Sequence, residues 1–369
     1  MKRVFCFLTV LILLVSSCAK APAPQPVYGI APQKSAEGVT IQGNPLPALF
    51  EQEGKLYVRM ADFATAIGGT FEVTEGLEIH TAKFTKGLGE INFTTDSLPP
   101  EGVCTLYLSG SIYDGTDWYH PLEEVMKYYD HHSFRDEENK HTYYTEYPLA
   151  EELAEGYKVP TLMYHAVSDD CWGYPSLFVS PANLEKQLQY LAENGYTTIT
   201  FEDLARIDQI EKPVLLTFDD GYEDNYTELF PLLKKYNAKA TVFMIMNCVG
   251  KEIYLNAEQI KEMDASGLVS FQSHTMTHEF LSTRTPEQLE HELYDSKLAL
   301  ARLIGKEPFV LCYPTGKYSE ASIKATGEYY QFGLLMSGKN YVTGDDPLKI
   351  TRKYIARSTT LESFKAMLK

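Results

Sequence analysis

From residue 157 onward, short apolar runs alternate with longer amphipathic stretches, and this alternation constrains the fold more than any other feature of the chain. The runs at 160–164, 213–218, 240–246, 268–271 and 309–313 have strand length. Between them, 181–194, 225–236, 257–265 and 286–304 carry helical spacing. Strands separated by helices of ten or more residues form βαβ units and a mainly parallel sheet. Residues 155–369 hold enough repeats to suit a closed α/β barrel better than a small open sheet. In such barrels the reactive side chains stand where strands end.

The N-terminal part reads differently. Lys2 and Arg3 precede an apolar run, 4–15, that is too short to cross a bilayer. It fits a signal peptide over 1–17, and its end, Val15-Ser16-Ser17-Cys18, resembles a bacterial lipobox. That resemblance implies cleavage before Cys18 and a lipid on its sulfur. The protein would then be extracytoplasmic and anchored to the bacterial cell membrane. Residues 18–38 are rich in Pro and Ala and are expected to form an extended, mobile tether. Residues 39–147 read as a smaller α+β domain. Within it, the strand-then-helix pattern at 55–69 returns in part at 117–125, and 140–145 is a closing strand. This pattern resembles the copper amine oxidase N-terminal-like stalk of bacterial surface proteins. His80, His120, His131, His132 and His141 are expected as solvated surface residues, although a metal site is the alternative.

Charge narrows the partners. With 33 basic against 50 acidic residues the net charge is −17, which opposes binding to nucleic acid. Hydrophobic content of 44% and charged content of 22% suit a globular chain. Cys104, Cys171, Cys248 and Cys312 are widely spaced, and read as small buried residues or an occasional bridge. A monomer is assumed.

Two strand exits carry titratable clusters. The run 214–216 leads into Thr217-Phe218-Asp219-Asp220-Gly221, and 268–272 leads into Ser273-His274-Thr275-Met276-Thr277-His278. Adjacent carboxylates repel unless a cation or proton intervenes, although Asp-Asp-Gly alone also reads as a turn. Histidines four apart would share one face of a helical turn. One Asp with two His makes an N/N/O set that leaves a position open for water, as catalytic metals require.

These motifs resemble the polysaccharide deacetylases with a NodB-homology domain, over about 157–366. The resemblance implies a distorted parallel (β/α)7-type barrel that removes acetyl groups from N-acetylated polysaccharide. It makes Asp219 the general base and Asp220, His274 and His278 the ligands of a divalent metal. Zinc (Zn2+) is the default, with Ni2+, Co2+ or Fe2+ possible. Cys312-Tyr313-Pro314-Thr315-Gly316 corresponds to the family's Arg-x-Pro-Tyr-Gly motif, with Cys312 in the arginine position. The Thr315 N–H could still serve an oxyanion. The family's late Leu-x-His motif is missing, and no histidine follows His291. The opening Leu162-Met163-Tyr164-His165 looks like the permuted branch that deacetylates poly-N-acetylglucosamine, which makes His165 the candidate general acid. A buried structural histidine is the alternative. Arg352 is a candidate to replace the missing arginine, with a surface cation as the other reading. An O-acetyl esterase, or a glycan-binding lipoprotein whose hydrolytic site has decayed, are the competing functions.

Overall fold

A computed structural model describes residues 33–47, 49–75, 80–86, 89–94, 112–113, 117–126, 132–336 and 338–369. The signal run, Cys18, Cys104 and His131 lie outside the described residues.

Eight strands build the C-terminal sheet: β1 (Thr161–Tyr164), β2 (Thr197–Ile199), β3 (Pro213–Phe218), β4 (Ala240–Met244), β5 (Val269–Ser273), β6 (Val310–Cys312), β7 (Phe332–Leu334) and β8 (Lys353–Tyr354). Their order is β7-β6-β5-β4-β3-β1-β8, with β2 paired to the start of β3. Every pairing is parallel. β1, β3, β4 and β5 are buried at every position. Coverage on both faces is why they read as unbroken apolar runs and not as alternating ones.

The sheet curls until its edges meet across one short segment. Ile350 bridges Leu334 of β7, and its N–H donates to Gly333 O at 2.9 Å. Three residues on, Lys353 and Tyr354 pair with Leu162 and Met163 of β1. Residues 350–354 therefore join the two edges, as the expected distorted barrel requires.

Helices pack outside, and their starts follow local chemistry. Ser180 accepts from Asn183 N and precedes Pro181, so one orphan donor is capped and another is removed. Asn256 and Thr285 each form capping boxes, with Gln259 and Gln288. The expected helices 225–236 and 286–304 each contain a wider π-turn, at Asn225–Leu229 and His291–Asp295. Such turns re-aim side chains and recur at functional sites.

Among the described residues, the N-terminal region holds three small sheets and two short helices, Met60–Ala66 and Leu122–Met126. The two sequence echoes, Lys55–Arg59 and Trp118–Pro121, pair antiparallel with Val58 opposite His120. Two expectations need correction here. Residues 33–34 of the expected tether form a strand whose backbone pairs with Phe50 and Glu51. The histidines are not surface residues where their side chains are described. His120 is fully buried, and burial pushes its pKa down to about 4. His132 stacks on Tyr147 at 4.2 Å, and His141 is half-buried beside Tyr143. Aromatic packing claims the last two, while His120 Nε2 lies 3.9 Å from Glu124 Oε2.

This region docks at the end of the barrel where strands begin. Arg302 donates to both oxygens of Asp136, at 2.6 and 2.7 Å, and to Glu138 at 2.7 Å. Glu307 N donates to Thr145 Oγ1 at 2.6 Å, and Thr40 Oγ1 donates to Gly305 O at 2.9 Å. A Cβ on Gly305 would stand 3.1 Å from Gly43 Cα, so the two backbones touch because neither has a side chain. A cavity of about 200 Å³ lies in this seam, lined by Gln42, Thr145, Asp203, Lys239 and Glu307 among others. Its lining includes none of the strand-exit clusters.

Candidate active site

At the exit of β3 the backbone continues pairing for one residue, with Asp219 N donating to Tyr164 O at 2.9 Å. It then turns through two left-handed residues, Asp220 (φ 76°) and Gly221 (φ 75°). Glycine suits the second of these: a Cβ at Gly221 would sit on a left-handed backbone and would push the tip of the Met244 side chain, 2.6 Å away. The turn separates neighbouring carboxylates: Asp219 faces the barrel interior and Asp220 faces the exit of β5.

Asp219 is 3% exposed, and Arg352 is fully buried beside it. Arg352 Nη1 donates to Asp219 Oδ1 at 2.6 Å and Nη2 to Oδ2 at 2.7 Å. Every other guanidinium N–H is also used, by Leu335 O, Thr217 Oγ1 and Cys312 Sγ at 2.9, 3.0 and 3.1 Å. Burial alone would raise the Asp219 pKa, but the guanidinium outweighs it and holds the carboxyl well below its usual range. Arg352 is thus no surface cation. It comes from the segment that closes the barrel and fills the space where Cys312 leaves the motif without an arginine. Cys312 completes the cluster, its thiol 3.6 Å from Asp219 Oδ2, with burial raising its pKa.

His274 and His278 reach Asp220 from beyond β5. Asp220 Oδ1 lies 3.5 Å from His274 Nε2 and 3.7 Å from His278 Nε2. The pair does not sit on a helical turn. Residues 274–278 form an irregular bend with Thr275 at φ 68° and His278 at φ 65°. That backbone brings the rings together edge to face, with centroids 4.7 Å apart. His274 Nδ1 is 2.7 Å from Cys312 O, which fixes its proton there and turns the Nε2 lone pair toward Asp220. Burial, helped by the neighbouring His278, lowers the His274 pKa to about 4, so it is neutral at pH 7.

The three donors fit a metal ion. Ligand bonds near 2.1 Å at tetrahedral angles place donor atoms about 3.4 Å apart, close to the separations found here. Asp219, His274 and Cys312 also converge within 4.8 Å. That second set is already spent, because Arg352 holds both Asp219 oxygens and Cys312 O holds His274 Nδ1.

His165 follows β1, is 8% exposed, and places Nε2 3.9 Å from Asp219 Oδ2. Its buried Nδ1 has no hydrogen-bond partner. Its carbonyl accepts from Asn225 Nδ2 at 3.1 Å, so the π-turn at 225–229 fixes this segment. Thr315 is exposed at φ 55° in the turn after β6, which frees its backbone from regular pairing. Sequence reasoning missed Tyr222, which hydrogen-bonds Asp220 and whose own pKa is raised by burial and by that carboxylate. Trp172 packs edge-on against Tyr222 at 4.7 Å and is 44% exposed. Tyr174, Phe280 and Tyr318 are also exposed, two residues from Trp172, two from His278 and three from Thr315 respectively. The described cysteines form no bridge, and Cys171 is exposed, not buried as expected, because its loop lies on the surface.

A curled parallel β/α barrel with a buried aspartate beside an Asp/His/His cluster has the layout of a hydrolase that works at strand exits. Residues 206–330 match the family model described as polysaccharide deacetylase. That stretch holds Asp219, Asp220, His274, His278 and Thr315, while His165 and Arg352 lie outside it. YxkH of Bacillus subtilis, whose name places it among polysaccharide deacetylases, is 40% identical over 183 residues, covering 48% of this chain and 64% of that protein. The poly-beta-1,6-N-acetyl-D-glucosamine N-deacetylase of Staphylococcus aureus is 29% identical over 176 residues, covering 42% and 61%. The chain thus spans under two thirds of the length of these relatives. BC0361, a polysaccharide deacetylase from Bacillus cereus, superposes with a TM-score of 0.56 at 28% identity, covering 82% of this chain and 99% of that one.

Proposed function

We propose that this protein is a metal-dependent N-deacetylase of N-acetylglucosamine-containing cell-wall or surface polysaccharide, with Asp219 as its base. The observation that carries the reading is a buried carboxylate, kept ionised by Arg352, next to an Asp/His/His set that no lysine or arginine among the described residues pairs with. A divalent cation held by Asp220, His274 and His278 would polarise the acetyl carbonyl and lower the pKa of a water there towards about 7.

This chain's residues then divide the proton work. Asp219 accepts one proton from the water as its oxygen attacks the acetyl carbon. The Thr315 N–H is available to the developing oxyanion. His165, when protonated, gives a proton to the sugar nitrogen as the C–N bond breaks, a step worth about 10²–10⁴-fold. The products are acetate and a glucosamine unit. Arg352 keeps Asp219 ionised and aimed. The exposed aromatics Trp172, Tyr174, Phe280 and Tyr318 suit the apolar faces of pyranose rings, which favours a polymer over a single sugar.

The lipobox-like Val15-Ser16-Ser17-Cys18 supports a lipid-anchored protein on the outer face of the cell membrane. The deciding assay is acetate release from N-acetylglucosamine oligomers by metal-stripped protein, by zinc-, nickel- or cobalt-loaded protein, and by Asp219→Asn. Metal-dependent release that vanishes in the variant is expected. Silence with every metal, repeated on peptidoglycan and on O-acetylated glycan, would sink the enzyme reading.

A further inference from the structure

His274 and His278 are held by different means. His274 is 2% exposed and fixed by Cys312 O, whereas the His278 side chain is 33% exposed. His278 hangs from a bend with two left-handed residues, one of them the β-branched Thr275, and each costs roughly 1–2 kcal/mol unless the surroundings impose it. Glu292 supplies much of that imposition. One of its oxygens accepts from Met276 N at 3.1 Å and from Thr277 N at 2.9 Å, and the other accepts from Thr277 Oγ1. The carboxylate is 4% exposed, and no ion pair to it occurs among the described residues. A buried charge without a counter-ion persists only when fully hydrogen-bonded, so its partners define its purpose. It sits in the π-turn His291–Asp295, which is anchored in turn by Ser296 Oγ to Glu292 O at 2.6 Å.

We propose that Glu292 is a positioning residue for metal binding: it clamps the 276–277 backbone so that His278 meets Asp220 at ligand distance. This rests on the reading of Asp220, His274 and His278 as metal ligands. Removing such a support typically weakens metal binding by about 10–100-fold.

The test measures affinity directly, by competition of the full chain with a chromophoric chelator for Zn2+ and Co2+, together with the visible spectrum of the cobalt-loaded protein. Glu292→Ala should lose at least ten-fold in affinity and show an altered cobalt band. Glu292→Gln, which keeps an acceptor, should lose less. Thr277→Val removes only the hydroxyl and should loosen binding by a smaller factor, so a reading remains even if Glu292→Ala fails to fold. Wild-type affinity and spectrum in folded Glu292→Ala, or in both milder variants, would overturn the clamp alone. Wild type that binds no stoichiometric metal would overturn the ligand reading and the clamp with it.

Discussion

The two ends of the barrel are held together by different kinds of contact. Where strands begin, the N-terminal region is tied on by complementary pairs such as Arg302 with Asp136 and Glu307 N with Thr145. Where strands end, Asp220, Thr275, His278 and Thr315 all take left-handed backbone, and buried His165 Nδ1 is left without a partner. The first end also has left-handed residues, Gln42 and Lys212, and buried Glu202 and Glu307 oxygens without a partner among the described residues, but satisfied pairs tie it together. The second holds strained and unsatisfied groups that a well-packed body forces to coexist, as functional sites commonly do. Substitutions at the first end should therefore cost stability without touching the chemistry at the second.

The largest effect belongs to Asp219→Asn. Acetate release should fall by roughly 10²–10⁴-fold, the usual worth of a general base. Arg352→Met comes next and acts on the same pair from the other side. It strands a buried carboxylate, which should cost about 3–5 kcal/mol of stability in urea titrations. Burial, opposed then only by His274 and His165, should raise the Asp219 pKa. Since the base works ionised, the acid limb of the rate–pH profile should move to higher pH. An unmoved limb would separate Arg352 from the chemistry.

A third comparison uses two buried histidines, His274 at the strand exits and His120 in the N-terminal region, both with pKa values lowered to about 4 by burial. Between pH 6.5 and 4 the unfolded chain takes up protons that the folded one refuses. Their contribution is therefore complete above pH 6.5 and lost as pH falls through that window. Metal-free protein should unfold at progressively lower urea concentration across it, and His120→Gln should flatten the slope without touching the His274 share. The smallest expected effect is Arg302→Ala, about 1–3 kcal/mol of stability with acetate release per folded molecule changed less than two-fold. A loss of rate as deep as that of Arg352→Met would show that the two ends are not separable after all.

Much of this site is written in local sequence. The run 213–218 coincides with β3, and 257–265 coincides with its helix, because both are long and strongly patterned. β2, β7 and β8 have only two or three residues each, too few for any periodicity to register. The spacing of His274 and His278 suggested a helix, since four residues is one turn, yet the segment is a bend in which the adjacent Ser273 hydroxyl accepts from Thr275 N and Glu292 accepts from Met276 and Thr277 N.

By itself the sequence determined the parallel α/β architecture and the order in which the reactive residues leave their strands, since hydrophobic period and glycine placement are local properties. It also determined the donor types at Asp220, His274 and His278. Only the tertiary structure decided that Arg352, 133 residues from Asp219, supplies the cation absent at Cys312. It also decided that His120 is core, and that a carboxylate on a π-turn accepts from backbone N–H groups fifteen and sixteen residues before it. Each relates segments that a local pattern cannot: Arg352 through closure of the barrel, His120 through packing within the N-terminal region, and Glu292 through a helix that folds back on the loop after β5. A buried charge or imidazole is tolerable only where such an assembly provides its partners.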